Sequence, residues 1–278
     1  MIKLVLSDLD DTLMAYGRPN VSDRALRAIR SCQEAGVHFA PATGRRPEDL
    51  AWIFPGSEWA CSTSVCNNGQ VVTLDGRRVR AVELDRASLA RAVGVAASFP
   101  GTCVIVTHGG SSWGVGVGEG FVREGRLQSI TEVVSELPQV PLLKANVRCG
   151  GDRAFCERVK AALEEACPEL DFVYPSQRVP LIDVLPLGWG KQSGAEVLRQ
   201  ELGVSPEEVA VFGDSENDLS LVGAYPNSVA VANAIPALAE AARWHIGPSG
   251  EDSVADALLD IAQAARCGSM PRFMGGSL

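Results

Sequence analysis

The sequence has few histidines and no closely spaced cysteine pairs. Only three of its 278 residues are His, so a zinc centre built from several histidines is nearly excluded. Its eight cysteines include no pair at Cys-x-x-Cys spacing, which leaves zinc-ribbon and thioredoxin-like proteins without support. We therefore expect each cysteine to be reduced and to serve as a small, buried apolar residue.

Positive charge is also scarce, and long apolar runs are missing. Lys and Arg total 25 against 34 Asp and Glu, a net charge of −9, which argues against a protein that coats nucleic acid or an anionic membrane. No apolar run approaches the roughly 18 residues of a membrane-spanning helix, and no signal peptide is recognised. We expect a cytoplasmic protein, a monomer or homodimer, with no nucleic-acid or membrane partner.

Strand and helix patterns alternate at both ends of the chain. Almost unbroken apolar runs at 2–7 and 209–212 are typical of parallel strands buried on both faces. The segment between them has strands and helices of its own, and the chain length suggests about two domains. We predict an α/β fold with a Rossmann-like parallel-sheet core, residues 1–82 and 187–278, and an α/β domain inserted at 83–186.

Local signals predict where several elements begin and end. Ser22 is a good helix N-cap, and Asp152 is another. The dipeptide Asp75-Gly76 predicts a β-hairpin. A third core strand is predicted at 59–65, and the Gly- and Ser-containing tail at 267–278 is expected to be loose.

Two acidic residues follow the first predicted strand. Asp8 and Asp10 lie at its carboxyl end, where open α/β sheets bind ligands. Residues two apart in an extended chain point the same way, so the two carboxylates should share one face. They would repel each other unless a cation or a shared proton intervened, and oxygen ligands of this kind suit Mg²⁺. The alternative is an acidic loop that only ends the strand.

Three further segments carry polar groups at element ends. Gly213 to Asp218 follows the strand at 209–212, and its Gly allows a sharp turn. Thr43-Gly44-Arg45 ends another strand, where a hydroxyl and loop amides can hold a phosphate oxygen. Lys191 opens a helix, where the helix dipole and an ammonium attract an anion. Each segment alone also fits an ordinary turn or a solvated side chain.

Taken in order, these segments resemble the motifs of the haloacid dehalogenase-like phosphohydrolase superfamily. The matching motifs are Asp8-x-Asp10-x-Thr12, Thr43, Lys191 and Gly213-Asp214-x-x-Asn217-Asp218. The insertion between the threonine and lysine motifs resembles subfamily IIB, the Cof-type phosphatases, as do Asn68-Gly69 and the helix at 254–258. The resemblance implies a haloacid dehalogenase-like core with an α/β cap domain.

The resemblance also implies a metal and a reaction. Asp8 would attack phosphorus and become an aspartyl phosphate, while Asp10 would act first as acid and then as base. Mg²⁺ would be held by Asp8, the backbone carbonyl of Asp10 and Asp214. Asp218 would act through a water or as a hydrogen-bond acceptor behind the ligands.

Residues that bind the substrate follow from the same resemblance. Thr43 and Lys191 would hold the phosphate oxygens, with help from Asn217. Gly44, Arg45 and Asn68 would lie near the phosphate or the leaving group.

The cap domain would select the leaving group. Its polar candidates are His108, Arg148 and Asp183, chosen because they lie near predicted strand ends, while Trp113 is expected in the cap core. The alternative for the three polar residues is a solvated surface position.

The expected function is a Mg²⁺-dependent phosphatase acting on a small phosphate ester, most simply a sugar phosphate. A phosphomutase of the same superfamily is the alternative within enzymes. A phospho-acceptor module or a non-hydrolytic binding protein is the alternative outside them. Receiver modules, however, place their acidic pair and their acceptor Asp on different strands and carry no inserted domain.

Overall fold

The structure is a computed structural model, and it describes residues 1–118, 120, 121, 130–176 and 178–276. Within these residues the strands are β1 (Leu4–Ser7), β2 (His38–Pro41), β3 (Ser64–Cys66), β4 (Val71–Leu74), β5 (Arg77–Ala81), β6 (Cys103–His108), β7 (Ser111–Val115), β8 (Glu132–Val134), β9 (Ala145–Arg148), β10 (Leu170–Val173), β11 (Leu181–Pro186), β12 (Val209–Gly213), β13 (Asn227–Val231) and β14 (Trp244–Ile246).

The α-helices of the same residues are short. They are α1 (Asp23–Glu34), α2 (Leu50–Ile53), α3 (Arg86–Ala97), α4 (Arg153–Ala166), α5 (Lys191–Glu201), α6 (Leu219–Ala224), α7 (Pro236–Ala241) and α8 (Ser253–Cys267). The longest of these, α8, has 15 residues. No helix in the described ranges has the length and apolar character needed to cross a bilayer.

The chain divides into two compact units, Met1–Arg80 with Gly190–Leu278, and Ala81–Trp189. The first unit contains a five-stranded sheet in the order β14-β13-β12-β1-β2. All of its strand pairs are parallel. The predicted parallel α/β core is therefore confirmed.

The second unit is built around a sheet of its own. Its six strands run in the order β10-β11-β9-β6-β7-β8, and α3 and α4 supply the helical residues of its core, including Leu89, Val159 and Leu163. The short strand β8 was not predicted, because the sequence around it is rich in Gly and Pro. The prediction of an α/β insertion in an α/β core is confirmed.

The central position of β1 determines where the polar residues of the core lie. Ser7 pairs with Phe212 of β12 on one side and with Pro41 of β2 on the other. Because the strands are parallel, the residues that follow them emerge at one edge of the sheet. The segments that begin at Asp8, Ala42 and Asp214 are brought to that edge.

Several predicted boundaries are confirmed by hydrogen bonds. The Ser22 hydroxyl accepts the amide of Ala25 at 3.1 Å at the start of α1. The Asp152 carboxylate accepts the amide of Phe155 at 2.9 Å at the start of α4. Asp75 and Gly76, with φ of 49° and 77°, connect β4 and β5, and the positive φ at both positions is that of a type I′ hairpin turn.

The predicted third core strand is wrong over most of its length. The predicted strand at 59–65 instead begins as a 3₁₀ helix, Glu58–Ala60, and only Ser64–Cys66 is extended. The turn is closed by the amide of Ala60, which donates to the carbonyl of Ser57 at 2.8 Å. The apolar residues of this segment therefore indicate burial, but they do not indicate an extended backbone.

The C-terminal tail is ordered rather than loose as far as residue 276, and residues 277 and 278 lie outside the described residues. The Arg272 guanidinium contacts the Asp260 carboxylate at 2.9 Å, and the amide of Phe273 donates to the same carboxylate at 3.1 Å. The Phe273 ring lies 6.4 Å from that of Phe212. A single buried acid on α8 thus anchors the tail, which composition alone did not indicate.

The cysteines are free, and seven of the eight are buried, while Cys267 is exposed. Burial raises the pKa of the Cys66 thiol to about 12. Such a thiol stays protonated and unreactive at neutral pH. The expectation of buried apolar cysteines is therefore confirmed for seven positions and wrong for Cys267.

The loop Asn67–Gly69 and helix α5 approach each other closely through two glycines. A methyl carbon on Gly194 would lie 2.6 Å from the Cα of Gly69 and 2.7 Å from Cγ1 of Val65. Backbone atoms cannot yield to such a contact without moving the loop or the helix. Gly194 is therefore required for the approach of the loop to the start of α5.

We expect Gly194→Ala to lower the free energy of unfolding by about 1–3 kcal/mol, through overpacking. The matched control is Gly223→Ala in α6, where an added methyl would meet nothing within 4 Å. That control should be neutral or stabilising by up to about 1 kcal/mol. Urea unfolding of both variants measures the difference, and equal effects would contradict the close approach.

Candidate active site

Asp8 and Lys191 form a buried ion pair at the carboxyl edge of the parallel sheet. Lys191 is the first residue of α5, and its side chain is completely buried. Its ammonium lies 2.6 Å from Oδ1 of Asp8 and 2.7 Å from Oδ1 of Asp218. One ammonium thus joins residues that follow β1 and β12 to the start of α5.

Asp218 is held on both of its oxygens. Oδ1 accepts from Lys191, and Oδ2 accepts the amides of Asp214 at 3.1 Å and Ser215 at 3.2 Å. The Asp218 side chain occupies the space beside Gly213, where an added Cβ would lie 2.6 Å from Cβ, 2.7 Å from Cγ and 2.9 Å from Oδ2 of Asp218. The sequence suggested that Gly213 allows a sharp turn. The structure shows a different reason for the glycine, because the Asp218 side chain leaves no room for a Cβ at position 213.

Asp214 is oriented by Thr12, whose hydroxyl donates to Oδ1 of Asp214 at 2.8 Å. Both side chains are buried. Thr12 belongs to the Asp8-x-Asp10-x-Thr12 motif, but no role of its own was predicted for it. The contact connects the loop after β1 to the loop after β12.

The carboxylates of Asp8, Asp214 and Asp218 lie together, with one oxygen of each within 4.8 Å of the others. Lys191 supplies one positive charge against three acids. Burial, followed by repulsion from Asp218, raises the pKa of Asp214 to about 7. Burial also raises the pKa of Asp8 well above its usual range, although Lys191 opposes this. The cluster therefore carries more negative charge than its surroundings compensate.

These residues fit a hard divalent cation. Carboxylate oxygens are the ligands that Mg²⁺ prefers, and three buried acids beside one ammonium leave negative charge that a cation would compensate. Asp8 and Asp214 can offer oxygens directly, whereas both oxygens of Asp218 are already hydrogen-bonded. We therefore expect Asp8 and Asp214 to be direct ligands of such a cation, with Asp218 behind them.

The ammonium of Lys191 stays charged in this setting. Burial desolvates the group and lowers its pKa, but the charges and hydrogen bonds of Asp218 and Asp8 together raise the pKa above its ordinary value. A buried ammonium that remains protonated can hold an anionic oxygen brought beside it.

The other expected phosphate-binding residues form a second set. The Thr43 carbonyl accepts the amide of Asn68 at 2.9 Å, and Oδ1 of Asn68 accepts from Nδ2 of Asn217 at 3.1 Å. Asn68 is fully buried, with φ of 51°. The structure thus brings Thr43, Asn68 and Asn217 together, while Gly44 contributes backbone between Thr43 and Arg45.

Asp10 is more exposed than Asp8, although the sequence predicts that the two carboxylates share one face. β1 ends at Ser7, so the alternation of an extended strand does not continue through residues 8–10. The Asp10 side chain is 50% exposed and forms an ion pair with Arg45. Two hydrogen bonds of 2.7 Å join the guanidinium to both carboxylate oxygens.

Trp52 extends this pair and was not found by sequence reasoning. The Arg45 guanidinium lies 4.9 Å from the centre of the Trp52 indole. The indole is on α2 and is 46% exposed. The only sequence signal was a large aromatic residue among the polar residues that follow the Thr43 motif.

The candidate cap residues have different surroundings within the second unit. Asp183 is buried on β11 and contacts the ammonium of Lys144 at 3.0 Å and the amide of Asn146, so a solvated position is wrong for Asp183. Arg148 and His108 end β9 and β6 and are partly buried. Trp113 packs against the core of this unit, as expected.

The chain matches one protein family and several phosphatases over most of its length. The sequence profile described as haloacid dehalogenase-like hydrolase matches residues 5–258. The chain is 24% identical over 266 residues to the 5-amino-6-(5-phospho-D-ribitylamino)uracil phosphatase YbjI of Escherichia coli, covering 92% of this chain and 95% of that protein. It is 25% identical over 244 residues to the HMP-PP phosphatase of Escherichia fergusonii, covering 86% and 87% of the two chains.

Solved structures share the fold. SMU.1108c from Streptococcus mutans superposes with a TM-score of 0.78 at 17% identity, covering 93% of this chain and 98% of that one. The HAD subclass IIB sugar phosphatase BT4131 superposes with a TM-score of 0.73 at 18% identity, covering 92% and 97%. At these identities the likeness concerns the fold. Because the family profile spans most of the sequence, the chain belongs to the haloacid dehalogenase-like hydrolase family, as its four ordered motifs predicted.

Proposed function

We propose that the chain is a Mg²⁺-dependent phosphatase that hydrolyses a small phosphorylated metabolite through an aspartyl phosphate on Asp8. The observation that carries this proposal is the buried contact of Asp8 with the Lys191 ammonium, beside Asp214. A carboxylate placed next to a fixed cation can approach a phosphate that it would otherwise repel. The named phosphatase relatives support the same reaction class.

In this proposal the metal is Mg²⁺, held by Asp8, Asp214 and the backbone carbonyl of Asp10. Asp218 acts through a water or through the loop amides and the ammonium that it already binds. Mg²⁺ supplies positive charge between the nucleophile and the phosphoryl group when it is bound.

The chain's own residues would perform the chemistry as follows. Lys191 and the Thr43 hydroxyl hold non-bridging oxygens, with help from Asn217, so that phosphorus lies in line with Asp8. Asp8 forms a bond to phosphorus as the bond to the leaving oxygen breaks, and Asp10 gives that oxygen a proton. Asp10 then takes a proton from the water that releases phosphate from Asp8.

The substrate we propose is a small phosphate ester, with a sugar phosphate as the first choice. The relatives are named as phosphatases of a phosphoribityl pyrimidine, of HMP-PP and of sugars. We further propose that the second unit is the cap domain that selects among such esters. Eight free cysteines are compatible with action in a reducing cytoplasm.

A screen of phosphorylated sugars, nucleotides and cofactors with Mg²⁺, scored by release of inorganic phosphate, tests the proposal. Incubation with a hexose monophosphate distinguishes the phosphatase from the alternative, a phosphomutase. Release of phosphate supports the phosphatase, whereas an isomeric sugar phosphate would identify a mutase. A stable phosphoprotein without turnover would identify a phospho-acceptor.

Asp8→Asn should reduce the turnover of an aryl phosphate by roughly a thousandfold or more, because the amide is a poor nucleophile. Asp23→Asn is the control, since Asp23 is exposed in the first turn of α1. Steady-state release of the phenolate measures both. Undiminished turnover in Asp8→Asn would contradict the nucleophile assignment.

The affinity for Mg²⁺ should fall as the pH is lowered from 8 to 6. Asp214, with its pKa raised to about 7 in the metal-free protein, holds a proton below that pH. Binding must then displace the proton, which weakens the affinity by up to about tenfold per pH unit for each proton displaced.

Isothermal titration calorimetry of Mg²⁺ in buffers of different ionisation enthalpy measures both the affinity and the protons released. Asp214→Asn should bind Mg²⁺ more weakly and release fewer protons. An affinity that stays constant from pH 6 to pH 8 would contradict displacement of a proton from Asp214, and unchanged binding in Asp214→Asn would show that Asp214 is not a ligand.

A further inference from the structure

We propose that Arg45 is a positioning residue for Asp10 rather than a phosphate ligand, and that Trp52 supports Arg45 in this role. The inference rests on the proposed function, because it concerns the residue to which we assign proton transfer. It departs from the expectation that Arg45 binds the substrate.

The geometry of the pair is the first argument. Nε and Nη2 of Arg45 each donate to a different oxygen of Asp10, both at 2.7 Å. This fork matches a planar guanidinium to a planar carboxylate and fixes the orientation of the carboxylate as well as its place. The fork uses the Nε–Nη2 edge of the guanidinium, one of the two edges that can bind an oxyanion through two hydrogen bonds.

The backbone of Arg45 is fixed on both sides. Its amide donates to the Thr43 hydroxyl at 3.1 Å, and its carbonyl accepts the amide of Asn67 at 2.9 Å. The side chain therefore starts from a defined point beside the phosphate-binding residues and extends to Asp10.

Trp52 restricts the movement that the Asp10 contact leaves to the guanidinium. Helix α2 buries Leu50 and Ile53 but leaves the indole of Trp52 exposed. A cation over an aromatic face is attracted to it, and the guanidinium of Arg45 lies over this ring. Arg45 is thus held between a carboxylate and an indole.

Stability does not explain the arrangement. The side chains of Arg45 and Asp10 are 33% and 50% exposed, and ion pairs this accessible contribute little to the free energy of folding. Asp10, in contrast, gains a defined position that an exposed side chain on a loop would not keep by itself. In the second half-reaction this carboxylate must lie beside the attacking water, so its placement affects the rate directly.

A double-mutant cycle tests the inference. With an aryl phosphate, whose leaving group needs no proton, we expect Arg45→Ala to lower kcat by about 10- to 100-fold, the scale of a displaced general base. In an Asp10→Asn background the same change should have less than about a twofold effect, because a residue that acts through Asp10 has nothing left to position. Arg45→Lys, which keeps the charge but loses the fork, should restore little.

Inhibition by inorganic phosphate distinguishes the two roles of Arg45. A positioning residue leaves the inhibition constant within about twofold of the wild-type value, whereas loss of a phosphate ligand raises it by about tenfold or more. Additive effects in the cycle, or a raised inhibition constant, would overturn the proposal. An inactive wild-type protein would instead count against the proposed phosphatase.

A comparison of two substitutions tests the role of Trp52. Trp52→Ala should lower kcat by about threefold, and Trp52→Phe should restore most of it, because Phe keeps an aromatic face. Neither change should alter inhibition by phosphate. Equal effects of the two substitutions would remove Trp52 from the proposal.

Discussion

The buried Lys191 ammonium is the interaction on which the candidate site depends. It contacts Asp8 and Asp218 at 2.6 and 2.7 Å with no exposure to solvent. A charge without access to water is tolerated only when it is paired and hydrogen-bonded, and removal of one partner leaves the other uncompensated. The acids after β1 and β12 are therefore fixed to the start of α5 by the same requirement. Asp214 adds a third carboxylate, and the excess negative charge makes a cation the natural complement of this cluster.

The surrounding backbone is shaped by the need to bring these groups together. Gly213 leaves room for the Asp218 carboxylate, whose second oxygen binds the amides of the same loop. Gly194 lets the Asn67–Gly69 loop approach the helix that carries Lys191. The loop in turn supplies Asn68, which accepts from Asn217. Small residues and left-handed turns in this core thus serve polar groups that must meet at the end of a sheet.

The sequence predicted the parts of the site that follow from strand order and failed where contacts follow from loop geometry. Asp8 and Asp214 were expected at one edge because parallel buried strands end together, and the apolar runs before them were unambiguous. The greater exposure of Asp10 was not predicted because β1 ends at Ser7, so the alternation of an extended strand does not reach residues 8–10. The contact of Thr12 with Asp214 joins two loops, and Arg45 lies over Trp52 of α2. No periodic pattern in the sequence relates these segments, so the contacts could not be predicted from it. The order of the tail was not predicted from its composition, because it depends on contacts with one buried acid, Asp260.

The two ion pairs of the site lie in different environments, and the difference suits the roles that we propose for the two acids. In the proposed mechanism Asp8 attacks phosphorus from a defined place, and its partner Lys191 is completely buried, where loss of one partner leaves the other charge uncompensated. Asp10 is proposed to exchange protons with a leaving group and with water, and it forms a partly exposed ion pair with Arg45, of a kind that contributes little to the free energy of folding. An Asp10 placed in the buried cluster would add a fourth carboxylate to three acids that face one ammonium. In the proposed mechanism the nucleophile and the proton carrier therefore have different partners, a buried ammonium and a partly exposed guanidinium.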